Sequence, residues 1–419
     1  MRKIFVLLTL SLLLCSCSYA ETREQSVISE DIMTHDQELD TAINPVRTSS
    51  ERRARFIFIG DIMTHDQQLD AARNKHNPES YDFSPQFRRV KPLLEDAFLV
   101  GNLETVFAGR SKKLRYAGFP FFNTPDILAE LLSKDLHVDL LTLANNHIFD
   151  RKTSGARRTV QVLNSQDICW VGLGVDDVAS NDAVLLENDG IRAAFINHTY
   201  GSNEWPKSKD VHLNVISSAD ITKSLERAKS LSPDIIIACF HWGNEYHFSP
   251  NIHQKRAADV AFDNGVDLII GTHPHVLQPV EVRISSDDKK VKAVAWSLGN
   301  FVSFQRTLPR ERSIILAAEF VKNDEGITRL VKLSEAPLYV IAPGQKRTEV
   351  TYAGTDEKII EKLDFSGLSK SQLNNLRTIG KRVNEFLGAQ NETDEYGFYT
   401  LWDEKSFDVL PKSKRQSPK

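Results

Sequence analysis

The most informative segment of the chain is Val266-Asp267-Leu268-Ile269-Ile270-Gly271-Thr272-His273-Pro274-His275. Its apolar, β-branched part predicts a buried strand that ends at Gly271, and two imidazoles follow at i and i+2. Because Pro274 lacks an N–H and disfavours helical geometry in the preceding residue, we expect both histidines on extended backbone, facing one cleft. The segment alone fits either half of a metal site or two loop histidines that bind nothing.

Several other predicted strands also end in side chains that bind metal ions or activate water. The residues in this position are Asp61, Glu104, Asn146, His147 and His241. Each alone suits an ordinary role as a helix cap, a turn residue or the wall of a pocket. In open α/β sheets, however, ligands gather beyond the carboxyl ends of the strands, so residues far apart in sequence can meet there. The shared position of these residues therefore favours a single site.

The side chains at these strand ends are carboxylates, a carboxamide and imidazoles, with no thiolate among them. Such ligands suit Mn, Fe, Zn or Mg and argue against a structural cysteine-rich zinc site. Two ions bridged by a carboxylate, for which Asp61 is the best candidate, would clamp a phosphoryl or acyl oxygen and activate a water. His147 lies next to a predicted ligand and could protonate a leaving group.

The order of predicted elements indicates an α/β fold. Helices are predicted between the strands at residues 125–134, 155–164, 219–231 and 252–264, a spacing that suits crossover connections between parallel strands. Turn signals at 188–190 and 286–288 indicate antiparallel hairpins as well. The sheet is therefore expected to be mixed, or to consist of two sheets face to face. Further strands are predicted at 313–321, 327–333 and 336–341, and a helix at 369–387.

The composition limits the classes of partner. The chain has 419 residues, 41% apolar content and a net charge of -4, so it can bury a large core and has no overall basic character for binding nucleic acid. Cys169 and Cys239 lie in apolar, strand-like runs, where inert buried thiols are expected.

The first twenty residues predict an export signal. Arg2 and Lys3 precede an apolar run that is too short to anchor the mature protein as a membrane-spanning helix. The quartet Leu14-Cys15-Ser16-Cys17 resembles a bacterial lipobox, which implies that Cys17 is lipidated and holds the exported protein on a cell-envelope membrane. The alternative is ordinary cleavage after Ala20.

Residues 21–54 are polar and charged, as expected of a tether between a membrane and a folded domain. Within them, residues 31–40 repeat residues 61–70 at every position but one. Only the later copy follows a predicted strand. The earlier copy is therefore interpreted as a duplicated fragment without a site.

The predicted site residues belong to an ordered set of motifs that resembles the capsule-synthesis CapA family. The motifs are Gly60-Asp61-Ile62-Met63, Asn102-Leu103-Glu104, Asn145-Asn146-His147-Ile148-Phe149-Asp150, His241-Trp242-Gly243-Asn244-Glu245-Tyr246, Gly271-Thr272-His273-Pro274-His275 and Ser297-Leu298-Gly299-Asn300-Phe301. This family acts in poly-γ-glutamate capsule biosynthesis and is similar in fold to calcineurin-like metallophosphoesterases. The resemblance implies a mixed β-sandwich flanked by helices over residues 55–345, followed by a helical extension and basic tail at 346–419.

The resemblance also implies roles for individual residues. The implied metal ligands are Asp61, Glu104, Asn146, His241, His273 and His275, with His147 as the catalytic acid and Asn145, Glu245, Tyr246 and Asn300 in contact with substrate. The wider phosphoesterase pattern begins Asp-x-His, whereas this chain has Met63 at the third position, a poor ligand for a hard ion. One or two divalent ions are therefore expected. His65 could substitute only if the local turn aimed it back at the site.

Three functions are consistent with these features. The first is an exported, membrane-tethered CapA-like protein that hydrolyses or transfers an anionic polymer such as poly-γ-glutamate, together with other capsule-synthesis proteins. The second is a general metallophosphoesterase. The third is a non-catalytic scaffold that grips the polymer.

Overall fold

The computed structural model of this protein describes residues 51–95, 97–175, 182–205, 210–284, 290–342 and 347–405. The predicted export signal, Cys17, the duplicated fragment at 31–40 and the basic tail lie outside the described residues. In the described part, no helix is both long and apolar enough to cross a membrane.

The described strands are β1 (Arg52–Ile62), β2 (Phe98–Leu103), β3 (Val138–Thr142), β4 (Cys169–Val171), β5 (Leu173–Val175), β6 (Val184–Asn188), β7 (Ile191–Thr199), β8 (Val211–Leu213), β9 (Ile235–His241), β10 (Leu268–Thr272), β11 (Val280–Ile284), β12 (Val291–Ala295), β13 (Asn300–Val302), β14 (Arg312–Lys322), β15 (Thr328–Ile341), β16 (Glu349–Tyr352) and β17 (Tyr399–Asp403). The described α-helices are α1 (Asp66–Ala72), α2 (Ile127–Lys134), α3 (Lys152–Ser165), α4 (Ser218–Ser230), α5 (Ile252–Asp263), α6 (Glu357–Lys362) and α7 (Lys370–Leu387). The helices α2 to α5 and α7 occur where the sequence predicts them, within a few residues at each end.

Two mixed sheets form the body of the protein. The first has the order β16-β15-β14-β1-β2-β3-β4, with β13 beside β1 and β17 beside β15. The second has the order β11-β12-β10-β9-β7-β6. In each sheet the central strands are parallel (β1 to β4, and β12, β10, β9 and β7), and antiparallel strands flank them. Parallel neighbours end at the same edge of their sheet, which is what a shared site requires.

The alternation of side chains along β1 shows how the layers are arranged. Phe56 and Phe58 belong to the apolar cluster that also contains Phe195 and Ile237 of the second sheet, so the two sheets pack face to face. The Phe56 and Phe195 ring centroids lie 6.3 Å apart. Successive side chains of a strand point to opposite faces. Ile57 and its neighbours on that face accordingly join a separate cluster with α2 and α3.

The second sheet is covered on its outer face by α4 and α5. Ile236 and Ile269 of this sheet share an apolar cluster with Ile221 of α4 and Phe262 of α5. Ser217 and Asn251 cap the two helices by accepting hydrogen bonds from backbone N–H groups of their first turns. The result is an α/β sandwich of two mixed sheets between two helical layers, as predicted.

The C-terminal part of the chain differs from the prediction in two ways. Residues 328–341 form the single strand β15 rather than two strands, because the polar pair Ser334 and Glu335 is buried opposite Thr400 and Tyr399 of β17. The segment after residue 345 is also not purely helical, since β16 and β17 extend the first sheet. At the other end, β1 begins at Arg52, three residues before the predicted start of the domain at residue 55. The long-range pairing that produces these strands has no local signal.

Two glycines allow close backbone contacts near the ends of β1 and β10. A Cβ on Gly60 would lie 1.8 Å from the Gly299 carbonyl oxygen, and one on Gly271 would lie 2.0 Å from the Trp296 carbonyl oxygen. No side chain fits either position without moving backbone. The segment 296–300 therefore packs directly on the backbone at the ends of both strands.

Candidate metal centre

The ends of strands from both sheets meet at one buried cluster. Asp61 and Glu104 come from β1 and the residue after β2, which are parallel neighbours in the first sheet. His241 ends β9, and His273 follows β10, its parallel neighbour in the second sheet. The predicted convergence of these side chains is therefore present.

Two groups of side chains in this cluster are close enough to share a metal ion. In Asp61, Glu104 and His241 the ligand atoms all lie within 4.8 Å of one another, and the same holds for Glu104, His273 and His275. All five side chains are buried, and Glu104 belongs to both groups. If two ions are bound, Glu104 would be the carboxylate common to both, whereas the sequence suggested Asp61.

The side chains of the cluster lie within a few ångströms of one another. Glu104 Oε1 lies 3.6 Å from His241 Nε2 and 3.9 Å from His275 Nε2. Asp61 Oδ2 lies 3.3 Å from His275 Nδ1. The amide oxygen of Asn146 lies 2.7 Å from His241 Nε2, so Asn146 is also in position to serve as a ligand.

Unpaired polar atoms indicate that the cluster fits a cation. Both carboxylate oxygens of Glu104 and Nδ1 of His273 are buried without a hydrogen-bond partner among the described residues. An unpaired buried carboxylate is costly, and a bound cation would compensate it. Oxygen and nitrogen ligands without thiolates suit Mn, Fe, Zn or Mg. The types of donor atom and their lack of hydrogen-bond partners thus both suit a bound cation.

Burial is the main cause of the pKa shifts in the cluster. Burial, with the charge of Asp61 as a second contribution, raises the pKa of Glu104 well above its usual range. Burial and the neighbouring imidazoles lower the pKa of His241 and of His273 well below the usual range. Both imidazoles are therefore neutral at physiological pH, which is the form that binds a metal.

The backbone at the paired histidines differs from the prediction. His273 has φ +93° and His275 has φ +57°, so neither lies on the extended backbone that Pro274 was expected to impose. Left-handed φ is uncommon outside glycine, and such strain often occurs at functional sites. The surrounding contacts fix it: the His273 N–H donates to Asp61 Oδ2 at 3.3 Å, and His275 Nδ1 lies 2.9 Å from the amide oxygen of Asn300.

His147 lies beside the cluster and is held by Asp150. The distance from His147 Nδ1 to Asp150 Oδ2 is 2.8 Å, and the same carboxylate oxygen accepts the Phe122 N–H. The Phe122 ring also packs edge-on against the imidazole, with centroids 4.7 Å apart. A carboxylate at Nδ1 leaves Nε2 for proton exchange and stabilises the charged imidazolium.

The four predicted substrate contacts divide into two kinds. Asn145 and Asn300 are fully buried, and their predicted contact with substrate stays a prediction. Asn145 donates to the Leu103 carbonyl and accepts the His147 N–H, so it holds the loop that carries His147. Glu245 and Tyr246, in contrast, are exposed at the rim.

Met63 and His65 both make contacts with backbone groups at or just after the end of β13. Met63 is buried, and its backbone N–H bonds to the Val302 carbonyl. His65 Nδ1 accepts the Phe304 N–H at 3.2 Å, and burial lowers the pKa of His65 to about 4. The His65 ring is therefore already held by the protein through this nitrogen.

Three residues that support the cluster were not singled out by their sequence pattern. Asn102 donates to Asp61 Oδ1 at 2.7 Å, and Thr272 Oγ1 lies 3.0 Å from His241 Nδ1. Such partners fix the orientation of metal-binding groups. Asn102 lies inside a quoted motif and could have been found there. The Tyr200 ring, 4.5 Å from that of His273 between centroids, comes from a loop that carries no motif.

The chain is thus an α/β protein of two mixed sheets that carries buried acids and imidazoles at its strand ends. Residues 55–305 match the sequence model of the bacterial capsule synthesis protein family PGA_cap, and the chain belongs to that family.

Two curated relatives illustrate the similarity. The capsule biosynthesis protein CapA of Bacillus anthracis is 28% identical over 257 residues, covering 59% of this chain and 61% of that protein. The PGA biosynthesis protein CapA of Bacillus subtilis (strain 168) is 26% identical over 243 residues, covering 57% and 62%. The matched part is thus about three fifths of each relative's length. Among solved structures, the Haemophilus influenzae NAD nucleotidase aligns with a TM-score of 0.40 and 13% identity, over 81% of this chain and 61% of that one.

Proposed function

We propose that this protein acts in the biosynthesis of an anionic capsule polymer such as poly-γ-glutamate, as a metal-dependent hydrolase or transferase. The observation that carries the proposal is the buried Glu104 carboxylate, unpaired and common to two groups of potential ligands. The names of the two relatives, a capsule and a PGA biosynthesis protein, support the choice of polymer.

The cluster residues would hold one or two divalent ions. Asp61, Glu104 and His241 form one set of ligands, and Glu104, His273 and His275 form the other, with Asn146 next to His241. A bound ion would polarise a phosphoryl or carbonyl oxygen and favour deprotonation of the attacking water. His147 delivers a proton from Nε2 to the leaving group while Asp150 holds the ring at Nδ1.

The first prediction concerns metal-dependent turnover. We expect metal-loaded protein to shorten or transfer poly-γ-glutamate, and chelator-treated protein to lose this activity until the metal is restored. Asp61→Asn should lower both bound metal and turnover, because it removes a charged ligand. Asp259→Asn, which alters an exposed ion pair with Arg283, is the matched control and should change neither. Metal content is measured by plasma mass spectrometry and turnover by polymer chain length.

The outcomes distinguish the three candidate functions. Hydrolysis of p-nitrophenyl phosphate without action on the polymer would indicate a general phosphoesterase. Polymer binding without turnover of either substrate would indicate a scaffold, which Met63 favours because it replaces a ligand of the wider pattern. Equal metal content in the wild type and Asp61→Asn would refute the metal centre.

The site of action is proposed to be the cell envelope. Export and lipidation at Cys17 would place the domain on the membrane surface, close to capsule-synthesis proteins and to the growing polymer. Nucleic acid is not an expected partner of a chain with net charge -4.

Cys17→Ser tests the proposed anchor. We expect the variant to leave the membrane fraction and to lose incorporation of radiolabelled palmitate, because the acylated thiol is absent. Cys239→Ser, at a buried position in β9, is the control and should keep the label. Unchanged membrane retention of Cys17→Ser, or a wild-type mature chain that starts at Glu21, would contradict lipidation at Cys17.

A further inference from the structure

We propose that Arg310 and Tyr246 form an anion subsite beside the metal centre, and that the subsite binds a free carboxylate of the polymer. This inference rests on the proposed function, and it adds a residue outside the sequence motifs to the binding surface. The subsite would position the polymer before the reaction.

The first observation is a cation without an ion-pair partner. The Arg310 guanidinium carbon lies 3.4 Å from the centre of the Tyr246 ring. Within the described ranges, no carboxylate lies within 4 Å of this guanidinium, and none of its N–H groups donates a hydrogen bond to a described residue. The nearby Arg306, by comparison, pairs with Glu311 and donates to the Val340 carbonyl. A partly buried guanidinium left in this way retains its full capacity to bind an anion.

The second observation is the position of the pair. The Tyr246 ring centroid is 6.0 Å from that of His275, and the Tyr246 N–H donates to the Pro274 carbonyl. The Arg310 carbonyl accepts a hydrogen bond from Asn300, whose amide oxygen lies next to His275. Both residues are thus connected through short contacts to the segment that carries the paired histidines. An anion held by Arg310 would lie at the edge of the centre.

The third observation is that the pair is preorganised. Stacking on an aromatic face fixes the plane of a guanidinium, so less side-chain entropy is lost when an anion binds. Tyr246 itself has φ +66°, a costly conformation for a tyrosine that the Pro274 contact maintains. Backbone strain of this kind is consistent with a ring that is held in place for binding.

The chemistry of the pair suits a carboxylate. A guanidinium presents two parallel N–H groups that match the two oxygens of a carboxylate, and this charge-assisted contact is stronger than a neutral one. Every unit of poly-γ-glutamate has a free α-carboxylate. Glu245, next to Tyr246 on the same rim, opposes this attraction because its carboxylate repels an anion.

The test compares two forms of one polymer. Binding of fluorescein-labelled poly-γ-glutamate and of its methyl ester to the metal-loaded full-length protein is measured by fluorescence anisotropy. We expect the wild type to prefer the free acid by about tenfold or more, the scale of a charge-assisted contact. Arg310→Gln should remove this preference, and Arg310→Lys should keep part of it, because lysine retains the charge but not the paired donors.

Two further variants distinguish a contact at Arg310 from an effect of the protein's net charge on polymer binding. Arg377→Gln makes the same charge change on α7, where Arg377 pairs with Glu357, and should leave the preference intact. Glu245→Gln should strengthen binding of the free acid, the opposite sign to Arg310→Gln. Metal content and the melting temperature of each variant show that the fold and the centre are retained.

The result that overturns the inference is an unchanged acid-to-ester preference in folded, metal-loaded Arg310→Gln. Addition of acetate as a competitor checks the chemistry of the ligand. If it displaces the acid polymer from the wild type but not from Arg310→Gln, the subsite binds a carboxylate as proposed. Failure of the proposed function would be seen differently, as a wild type that neither binds nor processes the polymer.

Discussion

Glu104→Gln is expected to remove the bound divalent metal. Glu104 is the one residue common to both groups of potential ligands within the described chain, so its loss weakens both positions at once. An amide has no charge to offset that of the ion, and its nitrogen is not a ligand. Plasma mass spectrometry should give at least one metal ion per wild-type chain and close to none for the variant.

A second consequence of Glu104→Gln separates metal binding from folding. Without metal, the variant should melt above the wild type by about 2 °C or more, because it lacks an unpaired buried carboxyl group. On addition of metal only the wild type should gain stability, since a ligand stabilises the state that binds it. The variant is thus expected to be the more stable protein without metal, and the wild type the more stable one with metal.

Glu335→Gln is the matched control for this prediction. Glu335 is also fully buried, with a pKa raised by burial and an unpaired carboxylate oxygen, but it lies in β15 and belongs to neither ligand group. It should keep its metal. Equal metal content in Glu104→Gln and the wild type would show that the carboxylate is not a ligand.

His147→Gln is expected to abolish most turnover while metal content stays unchanged. A positioned general acid contributes about a hundredfold to ten-thousandfold to a rate, and glutamine cannot donate a proton in this way. Asp150→Asn should have a smaller effect in the same direction, because the imidazole loses the charge that orients and stabilises it. Steady-state kinetics on the metal-loaded proteins measure both effects.

The leaving group tests whether His147 acts as the acid. Phenyl phosphate needs a proton at its leaving oxygen more than p-nitrophenyl phosphate does, so His147→Gln should reduce its hydrolysis more strongly. His198→Gln is the control, because His198 is a buried imidazole of β7 that contacts Ser224 away from the cluster. An equal loss for both phosphoesters would contradict proton donation by His147.

The cluster itself could be predicted because it depends on a simple geometric rule. Asp61, Glu104, His241 and the paired histidines each follow or end a recognisable apolar strand, and parallel strands end at one edge of a sheet. Hydrophobic pattern therefore located the ligands even though they are far apart in sequence. The helices were also predictable, because their caps and periodicity are local.

The errors concern features without a local signal. The positive φ values at His273 and His275 arise from contacts with Asp61 and Asn300, which outweigh the preference that Pro274 imposes. Asn145 was predicted to contact substrate, and in the folded chain its amide donates to the Leu103 carbonyl and accepts the His147 N–H. Adjacency in a motif does not distinguish a group that meets substrate from one that supports its neighbour.

Arg310 illustrates what only the folded chain reveals. It lies in no motif, and its sequence neighbours do not suggest a site. Its role follows from a ring at Tyr246, far away in sequence, that stacks on it next to His275. Contacts of this kind depend on how the loops after different strands come together.

The sequence alone determined the sandwich class, the family resemblance and the set of acids and imidazoles, because strand periodicity and motif order are visible in the order of residues. Tertiary structure decided which carboxylate is common to both ligand groups, which asparagines are buried supports, and that the Arg310 guanidinium has no carboxylate within 4 Å among the described residues. The reason is that coordination, burial and ion pairing are properties of distances in space, and these are set only when both sheets pack and bring their strand ends together.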